Sequence, residues 1–128
     1  MAKIGLEDTQ LIILMDWIRF NKLDDVTYHC ANERSTTPQA GALLKRKGVL
    51  AGVADVIMMK PSQRWHGLAI ELKVKGGKLS PAQSKFLAAL NREGYLAKVC
   101  WSAEEAIELI CKYLNITPPH KPPHAPSN

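Results

Sequence analysis

LAIELKV, residues 68–74, is the most strand-like run in the chain, yet it carries Glu71 and Lys73 within it. Side chains alternate across a strand, so these two charges share one face, while Leu68, Ile70, Leu72 and Val74 share the other. A half-exposed antiparallel strand with a solvated charged face explains that alternation, and alternation alone favours it. The other reading is that the charged face lines a reaction site. The neighbouring segments decide between them.

Upstream, Val53 to Met59 reads as a second strand, and LAIELKV extends to a third over Gly67 to Val74. The polar connection KPSQRWHG between them, with Pro61, predicts a β-hairpin. Symmetric pairing centred on Gln63 sets Asp55 directly across from Glu71. Like charges opposed on a sheet are destabilising unless something positive lies between them. A divalent cation is the economical answer, because hard ions such as Mg²⁺ take carboxylate oxygens, backbone carbonyls and water. Lys73 leaves the strand on the same face, placed to steady charge on a phosphate oxygen or orient a water. Carboxylate ligands, a Lewis acid and a cationic helper are the parts needed for metal-assisted phosphodiester hydrolysis.

The remaining elements follow from periodicity and caps. A first helix is predicted over Leu6 to Phe20, then a short strand over Val26 to Cys30. Pro38 opens a second helix running to about Lys47, and Gly48 stops it. SPAQ, Ser80 to Gln83, is a capping box with Pro81 at the first helical position, starting a helix that reaches about Glu93. Tyr95 to Trp101 is a fourth strand, and SAEE opens the last helix with a second capping box from Ser102 to Glu105. The order α-β-α-β-β-α-β-α gives an α/β fold, a mixed β-sheet flanked by helices. From about residue 116 the composition turns to PPHKPPHAPSN, a Pro-rich flexible tail, which leaves residues 1–115 as one domain.

Bulk properties agree with a single globular domain: 128 residues, 46% hydrophobic and 23% charged. Three cysteines, Cys30, Cys100 and Cys111, are odd in number and lack CxxC spacing, which suits buried thiols in a reducing compartment. No apolar run approaches the roughly 20 residues that cross a bilayer, and no signal-peptide pattern opens the chain, so a cytoplasmic location and no membrane partner are expected. Lysine and arginine number 17 against 12 acids, with a pI near 9.2, which favours a polyanionic partner.

The motifs also carry a resemblance. GVADV, IELK and KLSPAQ are similar to the PD-(D/E)xK nuclease superfamily, whose minimal signature is an Asp followed by ExK. With ANER at residues 31–34, ALLKRKGVLAGVADV at 42–56 and the later GYLAKV, the chain resembles the virus-type replication–repair nuclease domain, VRR-NUC, of the stand-alone phage and bacterial type. The resemblance implies a restriction-endonuclease-like core and a Mg²⁺- or Mn²⁺-dependent DNA endonuclease. It implies metal ligands from Glu33, Asp55, Glu71 and the backbone carbonyl of Leu72, with Lys73 as catalytic lysine and Gln83 as a further site residue. Small stand-alone members look like Holliday-junction resolvases acting as homodimers, which implies branched or four-way-junction DNA as partner. Ala54 departs from the proline that often precedes the aspartate.

Competing structural roles exist for several residues. Asp55 is flanked by Val53, Ala54, Val56 and Ile57, and a carboxylate among apolar neighbours needs a partner. Gln83 poses a conflict, since a capping glutamine folds back on Ser80 whereas a site residue must face the metal; one side chain is not expected to do both. Glu7 near the start of the first helix suits the helix dipole, although in related junction-cleaving nucleases a first-helix glutamate joins the site. Lys45, Lys47, Lys75 and Lys78 flank the motif as candidate DNA-phosphate contacts. His29 and His66 read as structural or surface residues, and Trp65 as an exposed aromatic at the hairpin tip. The alternatives to a junction resolvase are a nuclease of the same chemistry on flaps, nicks or duplex, and a catalytically silent DNA-binding module.

Overall fold

A computed structural model of the chain describes residues 4–31 and 37–117. Glu33, and the tail from residue 118 onward, lie outside the described residues. The elements are α1 (Leu6–Phe20), β1 (Thr27–His29), α2 (Pro38–Arg46), β2 (Val56–Met58), β3 (Leu68–Leu72), α3 (Pro81–Arg92), β4 (Leu96–Cys100) and α4 (Ala103–Leu114). They follow the order read from the sequence. The strands form one mixed sheet in the order β1-β2-β3-β4, antiparallel except for the parallel β3–β4 pair across the α3 crossover.

β2 pairs with β3 through Val56–Ile70, Ile57–Ala69 and Met58–Leu68. This is the register centred on Gln63, and it sets Asp55 opposite Glu71 just before the first β2 residue. The strands are shorter than their apolar runs suggest: β2 begins only at Val56, after the Gly52 turn, and β3 ends at Leu72.

The half-exposed reading of LAIELKV fails, because every residue of β3 is buried. Leu68, Ile70 and Leu72 pack with Leu14, Trp17 and Ile18 of α1 and Ile107 and Ile110 of α4 in the main core. On the opposite face Ala69 joins Ala54, Ala97 and Leu87 of α3 in a smaller one. A central strand covered on both sides has no solvated face to offer a charge.

Caps fix the helices that carry the site. Ser80 Oγ accepts from Gln83 N at 3.1 Å, and Gln83 Oε1 accepts from Ser80 N at 2.8 Å, completing the capping box of α3. At α4 the expected second box is replaced by two separate caps: Ser102 Oγ accepts from Glu105 N, and Gln10 of α1 accepts from Ala103 N at 2.7 Å. That bond ties α1 to α4. The hairpin tip is anchored rather than free. Gln63 Nε2 donates to the carbonyls of Lys112 and Tyr113, the Ser62 hydroxyl donates to Tyr113 O, and Tyr113 donates to Lys60 O. Trp65 is therefore no exposed aromatic: its ring packs against Tyr113 and the main core, with Arg64 over its face. The tip satisfies carbonyls that the end of α4 leaves unpaired.

α2 differs from the other helices in burying none of its side chains. No described helix is long and apolar enough to cross a membrane.

Candidate active site

The site lies where β3 runs out between α1 and α3. Glu71 is 1% exposed and stands on the strand face that α3 covers. Asp55, opposite it, is held by two backbone N–H groups and one imidazole. Its Oδ2 accepts from Leu72 N at 2.8 Å, while its carbonyl accepts from Cys30 N at 2.8 Å and lies 2.7 Å from His29 Nδ1. The edge strand β1 thus fixes the aspartate from behind, which gives His29 the structural one of the two roles the sequence allowed it.

A third acid arrives from α1. Carboxylate oxygens of Glu7, Asp55 and Glu71 all lie within 4.8 Å of one another. The sequence left Glu7 open, because an acid in the first turn of a helix already suits the dipole. What places it here is the packing of α1 on the sheet and on α4. Lys73 follows Glu71 on the same face, largely buried, with Nζ 3.6 Å from Glu71 Oε2.

Gln83 resolves its conflict by using both ends of its amide. While Oε1 accepts from Ser80 N, Nε2 donates to Glu71 Oε2 at 3.3 Å. The expectation that one role excludes the other is corrected: an amide presents an acceptor and a donor, and the first turn of α3 points each at its own partner.

The electrostatics show what the cluster lacks. Burial above all, reinforced by Asp55 alongside and opposed by Lys73, pushes the Glu71 carboxyl from 4.5 up to about 8. Its Oε1 is fully buried and, once the carboxyl is ionised, has no hydrogen-bond donor among the described residues. Buried polar atoms are nearly always satisfied, so an orphaned carboxylate oxygen in a ring of carboxylates marks a place for a cation. All-oxygen donors suit a hard divalent ion. Lys45, Lys47, Lys75 and Lys78 are all exposed, the first pair at the end of α2 and the second in the β3–α3 connection. None of these four is ion-paired with an acid among the described residues.

Comparison with known proteins is consistent with this geometry. The family model of the VRR-NUC domain matches residues 7–104. A solved structure described as a VRR_NUC domain protein superposes with a TM-score of 0.75 at 30% identity, covering 90% of this chain and 93% of that one. No curated protein matches at the level of sequence.

Proposed function

The chain belongs to the VRR-NUC family of PD-(D/E)xK nucleases, and from that premise we propose that it is a Mg²⁺- or Mn²⁺-dependent DNA endonuclease that cuts branched DNA, including four-way junctions, as a homodimer. The observation that carries the metal-dependent reading is the buried, unpartnered Glu71 Oε1 inside a cluster of three acids. A silent DNA-binding module has no use for such a group beside a polyanion, because it repels the ligand and costs stability.

The ion would be held by Glu7, Asp55 and Glu71, with the Leu72 carbonyl and Glu33 as the further ligands that the family resemblance implies. When bound it supplies Lewis acidity to the scissile phosphate. Lys73 steadies charge that develops on a phosphate oxygen and orients the attacking water. Attack at phosphorus then breaks the bond to the 3′-oxygen. Gln83 keeps Glu71 in one rotamer by donating to Oε2. Lys45, Lys47, Lys75 and Lys78 hold flanking phosphates without reading bases. One 128-residue chain brings one such site, so two paired cuts in a symmetric junction call for two copies.

The test uses labelled four-way junction, flap, nicked and plain duplex DNA with Mg²⁺, Mn²⁺ or EDTA. Paired symmetric nicks in the junction, lost in EDTA, are the expected result. Lys73→Ala and Asp55→Ala should each lower the rate by about a hundredfold to a thousandfold. Wild-type rates in either variant would remove the site assignment, and cutting of flaps alone would remove the junction reading.

A further inference from the structure

Beside the site, α2 stands off the body of the protein and leaves a cleft of about 830 Å³ between itself, the loop before β2 and α3. Its lining is mostly apolar, including Leu44, Val53 and Phe86, but Lys45 from α2 and Lys85 from α3 both line it. No carboxylate lines it among the described residues. Two ammonium groups over an apolar interior, with no acid among the described residues, complement a molecule that is anionic outside and flat and apolar inside. A nucleotide has that chemistry: phosphate flanks a base whose face packs on apolar or aromatic side chains. The volume lies within the range of sites that enclose small ligands, roughly 300 to 1,000 Å³.

The cleft is joined to the acid cluster by the chain itself. Cys30 lines it, and Cys30 N donates to the Asp55 carbonyl; Ala82 lines it and precedes Gln83. An occupant therefore sits against the segments that carry Asp55 and Gln83. A base stacked and paired within a duplex cannot enter such a pocket without being drawn out at a cost of a few kcal/mol, whereas an unpaired base enters freely. We infer that this cleft receives an unpaired nucleotide of the DNA near the scissile phosphate, and that it favours branched substrates that expose one: a flap as it stands, a fully paired four-way junction once a base at the branch is drawn out. The inference rests on the nuclease reading and deepens it.

The test binds wild-type protein, in EDTA to prevent cutting, to a flap oligonucleotide carrying 2-aminopurine at the unpaired position beside the branch. Entry into the cleft should change the 2-aminopurine emission and protect Cys30 from maleimide, Cys100 and Cys111 being buried already. Ala89→Phe fills the cleft from α3, and Lys85→Glu, on an exposed residue, reverses a wall charge without altering the core. Each should abolish both signals and weaken flap binding by about fivefold to a hundredfold, the range set by one stacked base. Lys73→Ala should keep both signals while losing cleavage. Unchanged emission with Cys30 still reactive in the wild-type complex overturns the inference, as does protection of Cys30 by self-association without DNA. Full cleavage by Lys73→Ala instead overturns the nuclease site, so the two failures are distinguishable.

Discussion

Gln83 shows how one side chain serves a helix and a reaction site together, and its substitutions should separate the two. Ser80→Ala removes the bond to Gln83 N but leaves the amide free to hold Glu71; it should cost about 1 kcal/mol in unfolding free energy and leave cleavage near wild type. Gln83→Glu keeps an acceptor for Ser80 N, since glutamate also completes a capping box, but sets a fourth acid against Glu71 Oε2 in place of a donor. Stability in EDTA at neutral pH should then be little changed or lower, while the metal dependence of cleavage shifts. Gln83→Ala should lose both roles. Denaturant unfolding together with cleavage over a range of Mn²⁺ concentrations checks all three. If Gln83→Glu and wild type respond identically to the metal, the 3.3 Å bond to Glu71 has no part in the site.

At the scale of elements, the segment that matters is the turn before β2. Gly52 has φ +81°, and a Cβ there would lie 2.4 Å from the Ala82 carbonyl and 2.6 Å from Gln83 N. The turn therefore rests on the first turn of α3, and any side chain drives Gln83 away from Glu71. Gly52→Ala should cost more than about 2 kcal/mol, since backbone strain adds to a clash that flexible atoms cannot relieve. It should also lower cleavage per folded molecule. Gly76→Ala is the control: φ is +89° there, but nothing lies within 4 Å of the added carbon, so only the strain remains. This close approach was not legible in the sequence, which read Gly52 only as part of a resemblance. The hairpin register was legible, because a symmetric turn at Gln63 and a period of two fix which residues oppose each other. Glu7 was not, because its place depends on the angle at which α1 crosses the sheet. Trp65 was misjudged for a similar reason: its partner Tyr113 is remote in sequence. Pairing and caps are local patterns, whereas packing of one element on another is not.

For the molecule as a whole, the acid cluster links folding to protons and to metal with opposite signs. The Glu71 carboxyl is raised from 4.5 to about 8 in the fold, so between those values the folded chain holds a proton that the unfolded chain has released. The stability associated with that proton is fully present below 4.5 and is lost as pH rises through about 8. A divalent cation needs the ionised form, and so adds more stability the higher the pH; at a hundred times its dissociation constant the gain is about 2.7 kcal/mol. In EDTA the wild-type unfolding temperature should therefore fall across this window more steeply than that of Glu71→Gln, whose amide has nothing to release. With Mn²⁺ the wild type should recover most at the alkaline end, and Glu71→Gln should recover little at any pH. The difference between the two proteins isolates this group from the other titrating residues of a chain with net charge +5. An equal Mn²⁺ shift in both proteins would mean the ion binds elsewhere, and the buried glutamate would then be a destabilising acid without a ligand.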